Sequence, residues 1–115
     1  MTVAAYASGL QTGTIGSEIF LANINEAGVF TLHVDLANMQ SLDYVELRGY
    51  QTVLNSGTAR VPYMDAYQGA QPTDSNVAIS VPIGNELTDP QALRFSLKQT
   101  LGTARTYPWK VLKYT

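Results

Sequence analysis

His33 and Asp35, two positions apart in Val29-Phe30-Thr31-Leu32-His33-Val34-Asp35-Leu36, are the residues best spaced for chemistry. On an extended strand, positions i and i+2 share a face. The pair could therefore give a metal two ligands, or give a general base its orienting carboxylate. His33 is the only histidine, no third ligand is suggested beside it, and a solvated strand face accounts for the pair equally well. A Ser-His-Asp triad would need this histidine, yet no Gly-x-Ser-x-Gly elbow presents a nucleophile. Ser8-Gly9 and Ser56-Gly57 read as turns. Two carboxylates suffice for glycoside hydrolysis. Asp35, Asp43 and Glu46 lie close in sequence, and Asp65 stands between Tyr63 and Tyr67, but a chain of 115 residues is small for a sugar-cleaving cleft. Asp74-Ser75-Asn76 is a fragment of a calcium loop without the other ligand positions, and it reads as a turn. The absence of cysteine excludes thiolate nucleophiles, disulfides and Cys-based metal sites. No P-loop or Gly-x-Gly-x-x-Gly occurs. The expectation is a protein that is not an enzyme, with no catalytic, metal or cofactor residues.

Charge placement says more. Charged residues are 14% of the chain, against about 25% in ordinary globular proteins. Lysine stands only at 98, 110 and 113, and glutamate only at 18, 26, 46 and 86. These two types are depleted where protein surfaces meet. Seven tyrosines against three phenylalanines favour rings that are buried at one end and wet at the other. Residues 1–93 carry a net −7 and residues 94–115 a net +5. In that basic segment Arg105, Lys110 and Lys113 interleave with Tyr107, Trp109 and Tyr114.

Three readings of the basic segment are open. The rings and cations could stack on and attract single-stranded nucleic acid. The cations could pair with acids on neighbouring strands. Or the basic ribbon of one subunit could meet the acidic body of the next, where complementary potentials fix orientation. The overall charge of −2 argues against nucleic acid. The candidate partner-interface residues are thus Arg105, Tyr107, Trp109, Lys110, Lys113 and Tyr114, with Tyr63 and Tyr67. Tyr63, Tyr67 or Trp109 could instead form the aromatic platform of a carbohydrate-binding module.

The elements that must position these residues are strands. Phe30, Leu32, Val34 and Leu36 alternate with Thr31, His33 and Asp35; Leu93, Phe95, Leu97 and Leu101 alternate with Arg94, Ser96, Lys98 and Thr100. Period-two runs also mark 15–24, 43–54, 59–68, 76–83 and 105–114, with a weaker one at 2–7. Val77, Ile79 and Val81 are expected in the core beside Phe30 and Phe95. Asn55-Ser56-Gly57 should close a hairpin between 43–54 and 59–68, and Gly102 another between 93–101 and 105–114. Gly-Thr-Ala-Arg stands at both joints, at 57–60 and 102–105, which shared turn chemistry or chance explains. Thr88-Asp89-Pro90-Gln91-Ala92 is the best short helical turn, and 37–42 suggests another. Pro62, Pro82 and Pro108 within strand-like runs imply edges or bulges.

About eight strands in one domain, 1–115, point to an all-β antiparallel sandwich of jelly-roll type. No apolar run approaches the roughly 20 residues of a membrane helix. The first residues lack the basic and apolar regions of a signal peptide, so assembly in the cytosol is expected. Gly28-Val29-Phe30-Thr31-Leu32, Leu93-Arg94-Phe95-Ser96-Leu97-Lys98-Gln99-Thr100 and Trp109-Lys110-Val111-Leu112 resemble small β-rich virion proteins of tailed bacteriophages. The likeness lies in low charge, absence of cysteine, and Thr- and Tyr-rich alternating strands. It implies a capsid decoration (cement) or head–tail accessory protein, a jelly-roll fold and a trimeric homo-oligomer. The implied partner is a virion protein such as the major capsid protein, and the implied location is the virion, assembled in the host cytoplasm.

Overall fold

The computed structural model describes residues 2–89 and 91–115, which form nine strands and no helix. In chain order these are β1 (Val3–Thr12), β2 (Glu18–Ile24), β3 (Gly28–Asp35), β4 (Tyr44–Thr52), β5 (Ala59–Gln68), β6 (Val77–Ile79), β7 (Ile83–Asn85), β8 (Leu93–Leu101) and β9 (Thr106–Tyr114). All pairings are antiparallel. One sheet has the order β1-β9-β3-β6, with β7 also on β3; the other has the order β2-β8-β4-β5. β6 and β7 pair with opposite ends of the same strand, β3, and so act as one strand interrupted at Ser80–Pro82. Counted that way, the sheets read 1-8-3-6 and 2-7-4-5, the order of a jelly roll. Apart from the β6–β7 break, only the β4–β5 connection stays within one sheet; every other connection crosses the sandwich.

Alternation decides which side chains meet between the sheets. Phe30, Leu32 and Val34 of β3, with Tyr107 and Val111 of β9, face Leu93, Phe95 and Leu97 of β8, Val45 and Leu47 of β4, and Ile24 of β2; all are buried. Tyr6 sits at a bulge in β1 and places its ring edge-on to Phe30, at 5.5 Å and 82°. Burial of side chains of this size stabilises by roughly 1.5–3 kcal/mol each.

Several expectations need correction. Val77, Ile79 and Val81 are exposed, and Ala78 and Ser80 take the inward places. Register explains this: Ile79 pairs with His33 and Val77 with Asp35, both on the outer face of β3. Ser80 continues the ladder inward, its Oγ accepting from the Leu32 amide at 2.9 Å. Leu101 is exposed, and Gln99 is the fourth inward residue of β8. Ser8 and Gly9 lie within β1, which is longer than the run at 2–7. The segment 37–42 is a pair of turns, closed by Met39 N–H to Leu36 O (3.1 Å) and Asp43 N–H to Gln40 O (3.2 Å). Near Asp89 the Ala92 amide donates to the Asp89 carbonyl at 3.0 Å, and Pro90, within the expected helical turn, lies outside the described residues.

The β4–β5 hairpin forms as expected, and Ser56 takes the positive φ (62°). The second joint does not form a hairpin: β8 and β9 belong to opposite sheets. Gly102, at φ 91°, crosses between them so close to Asp43 that a Cβ there would collide with it. Pro62 does lie on an edge strand, β5, and Pro82 lies in the β6–β7 break. Pro108 instead lies in β9, between β1 and β3. It is tolerated because the β3 ladder ends at Val34–Trp109, one residue short of it. Thr106 O, on that same side of β9, is capped by Asn38 Nδ2 at 2.7 Å.

Candidate interaction face

A sandwich has two outer faces, and in this chain they differ in kind. The outer face of the four-stranded sheet is charged. Glu18, Lys98 and Glu46 stand in one row across β2, β8 and β4, with Arg48 and Arg94 alongside. Glu18 Oε2 accepts from Tyr50 Oη (2.6 Å) and Ser96 Oγ (2.5 Å), with Arg48 Nη1 at 3.8 Å. Arg48 Nη2 also reaches Glu46 at 3.4 Å, and the Arg94 guanidinium lies 4.4 Å from the centre of the Phe20 ring. Partial burial pushes the Glu18 carboxyl up, but the two hydroxyls and Arg48 outweigh it and leave it below its ordinary value. An ionised carboxylate so occupied has no proton to give at neutral pH. The network solvates this face and holds its strands in register.

The outer face of the five-stranded sheet is apolar. Successive rows across β1, β9 and β3 are Val3–Tyr114–Val29, Ala5–Leu112–Thr31 and Ser8–Lys110–His33, and β6 adds Ile79 and Val77. Val3, Leu10, Val29, Val77, Ile79 and Val81 are each 40–71% exposed. Lys110 is the only formal charge in these rows, and Asp35, opposite Val77, adds a second on this face. An antiparallel sheet open to water ordinarily alternates apolar-in with polar-out. Here the outward set adds exposed valines, leucine and isoleucine around one polar row, Ser8–Lys110–His33.

Two open clefts lie on this face. One, of about 320 Å³, brings Ser8, His33, Asp35 and Lys110 together beside Trp109 and Val77. The other, of about 670 Å³, runs along Val29, Thr31, Pro82 and Tyr114. The clefts are linked by a hydrogen-bond chain: His33 Nε2 to Thr31 Oγ1 at 2.9 Å, and Thr31 Oγ1 to Tyr114 Oη at 3.1 Å. Partial burial, assisted by the Lys110 ammonium, holds His33 below the ordinary imidazole value, so the ring is neutral at pH 7. The cleft thus has a neutral imidazole, a carboxylate and an ammonium. Among the described residues no group of three His, Asp or Glu side chains is placed to hold a metal ion.

The residues singled out by sequence do not gather into one surface. Arg105 Nε pairs with the buried Asp43 at 2.9 Å, and Lys113 Nζ with Glu26 at 2.6 Å, so two cations of the basic segment are neutralised within the chain. Tyr107 is fully buried and donates to Gln99 Oε1 at 2.9 Å. Trp109 points to the core side of β9 and is partly buried, its indole against Gly9. Lys110 and Tyr114 point outward from the same strand and belong to the apolar face. Tyr63 is buried on the inner side of edge strand β5, and Tyr67 there donates to Asp65 at 3.0 Å. Burial and the Asp65 charge raise the Tyr63 phenol above its ordinary value. Tyr63 is thus covered, and Tyr67 is partly buried against the core.

Sequence reasoning missed Gln99. It is fully buried, donates to the carbonyls of Leu101 (3.1 Å) and Thr103 (2.7 Å), and accepts from the Arg105 amide (3.2 Å) and Tyr107. A glutamine on the apolar parity of a strand is the signal that could have found it. The exposed apolar face was hidden by the same parity, because Val77-Ala78-Ile79-Ser80-Val81 reads as a strand whichever set points inward. No protein-family model, curated protein or solved structure matches the chain.

Proposed function

We propose that this chain is a structural virion protein that decorates or cements a bacteriophage capsid through protein–protein contacts. It would meet the capsid through the outer face of the β1-β9-β3-β6 sheet. The observation that carries the reading is the inequality of the two outer faces: one carries a network of paired charges beside exposed Phe20 and Met64, the other carries the larger set of exposed apolar side chains, Val3, Leu10, Val29, Val77, Ile79 and Val81. Contiguous exposed apolar patches beyond a few hundred Å² mark contact sites on soluble proteins. A subunit stabilised by its partners also needs few charges of its own.

The test is purification of the particle that contains the chain. The chain should co-purify with capsid-sized particles at a fixed ratio to the major capsid protein. Val77→Lys with Ile79→Lys should leave it folded but absent from those particles. A chain recovered free of any particle, or a double variant that still occupies it fully, overturns the reading.

One observation favours a second reading. The cleft that holds Ser8, His33, Asp35 and Lys110 gathers hydrogen-bonding groups of the kind that meet sugar hydroxyls in a carbohydrate-binding module, although the Trp109 ring points to the core side of β9. Retention of the chain on a glycan array, lost in Asp35→Ala, would favour it.

A further inference from the structure

Sheet edges present unpaired backbone groups, and proteins blunt them with charge, proline, bulges or brevity. The edges of the four-stranded sheet are blunted here. β5 carries Pro62 and the inward-facing Asp65, and β2 is broken by a bulge between Phe20 and Ala22 and begins with Glu18. On the far side of the five-stranded sheet, β6 and β7 have three residues each. β1 is different. It is ten residues long, lies at the end of its sheet beside β9 only, and no charged residue or proline occurs anywhere from Thr2 to Ser17. Its one irregularity lies between Ala5 and Ala7; from Ala7 to Thr12 it runs in unbroken register against Val111 to Thr106.

The direction of its free groups follows from the ladder. Gly13 N–H donates to Arg105 O at 2.9 Å, so residue 13, and by alternation 11, 9 and 7, turn their backbone groups toward β9. Ser8, Leu10 and Thr12 turn theirs outward. Thr12 O is held by the Gln11 side chain at 3.0 Å, a contact that a new strand would replace.

We propose that β1 pairs antiparallel with β1 of a second copy about a two-fold axis at Leu10, joining two sandwiches through one continuous sheet. Opposed residues must point to the same side of the sheet, and this register satisfies that rule. Leu10 meets Leu10 of the partner subunit, Ser8 meets Thr12 of the partner subunit, and the outward groups of all three positions are hydrogen-bonded. Leu10, 71% exposed in the single chain, is covered by its own counterpart. The occupant is a second copy because the strand is neutral throughout: it has no charge to select a charged partner and none to repel itself. The contact also extends the apolar outer face, since Leu10 belongs to both. It builds dimers, in place of the trimer implied by the phage resemblance. It is made by the purified chain without a capsid, so it stands or falls apart from the capsid reading.

Because the chain has no cysteine, a single introduced thiol reports the register directly. Leu10→Cys should give a disulfide-linked dimer on mild oxidation; Ser8→Cys, offset from its own copy, and Ile79→Cys should not. Leu10→Pro removes an N–H that faces away from β9, and Leu10→Lys sets two ammonium groups against each other. By light scattering the wild type should have twice the chain mass and both variants the single mass. A wild-type monomer overturns the proposal. So does any oligomer that persists in Leu10→Lys and is not captured through Leu10→Cys.

Discussion

Asp43 and Arg105, 62 positions apart, are joined by a 2.9 Å contact between a fully buried carboxylate oxygen and a guanidinium Nε that keeps partial exposure. The carboxylate also accepts from the Gln40 amide at 2.9 Å and the Thr103 amide at 3.2 Å. One aspartate thus ties the turn before β4 to the crossing between β8 and β9. Removing Arg105 leaves a buried charge with only amide partners. Arg105→Ala should cost about 2–4 kcal/mol, somewhat below the roughly 3–5 kcal/mol of a fully buried pair, because the Arg105 side chain retains 30% exposure. Urea denaturation measures it; a loss under about 0.5 kcal/mol would class the contact with ordinary surface pairs.

The same carboxylate sets the acid limit of the fold. Burial alone would raise Asp43, but the Gln40 amide, Arg105 and the Thr103 amide outweigh it and hold the carboxyl below its ordinary value; Glu18 is lowered in the same way. A carboxyl depressed by folding contributes stability that is complete above its unfolded value and is lost as pH falls through its folded value. Stability should be level from neutrality to about pH 5 and then decline below about pH 4. Tyr107 acts at the other end: burial and the Asp43 charge push it up to about 12. Its contribution is complete below the unfolded value of about 10 and is lost as pH rises through about 12. Urea midpoints across pH should trace both shoulders, and Asp43→Asn should flatten the acid one. A wild type as stable at pH 3 as at pH 7 would remove this account.

The strands and most of the core were legible because alternation is local: Phe30, Leu32 and Val34 announce their face without reference to any partner. What was not legible depends on register. Val77 and Ile79 obey period two as well as Ala78 and Ser80 do, and only pairing with His33 and Asp35 sends the valine and isoleucine outward. The basic segment looked like one hairpin surface because β8 and β9 are consecutive. The crossing at Gly102 sends them to opposite sheets, so Arg94 and Lys98 end on one outer face and Lys110 on the other. The candidate face is built from long-range pairings, so no local pattern could have displayed it.

Two truncations on opposite sides of the same sandwich should show which apolar residues hold the fold. Phe95→Ala empties a site that is fully buried, at a cost of about 3–5 kcal/mol. Ile79→Ala, on a residue 57% exposed, should change stability by no more than about 0.5 kcal/mol in the free chain. Thermal unfolding of the two variants provides the comparison. Equal losses would mean that the outer face is packed in the isolated protein, and the case for a contact surface there would fail.

Lys110 points outward from β9 and Lys113, three residues on, inward, and charge reversal should separate them. Lys113 is held by Glu26 at 2.6 Å, so Lys113→Glu sets two carboxylates together and should lower stability by about 1 kcal/mol. Lys110 is exposed and cross-strand from His33, so Lys110→Glu should leave stability nearly unchanged. Its effect should appear instead on the imidazole. The ammonium disfavours a charged His33, after partial burial the second cause of its depressed value; a carboxylate in its place favours the charged ring. The His33 pKa should therefore rise in Lys110→Glu and stay fixed in Lys113→Glu. With one histidine in the chain, a proton NMR titration reads it from a single set of ring resonances. A His33 titration that ignores Lys110→Glu would show that the cleft groups do not share a field, and would leave Ser8, His33, Asp35 and Lys110 as neighbours without coupling.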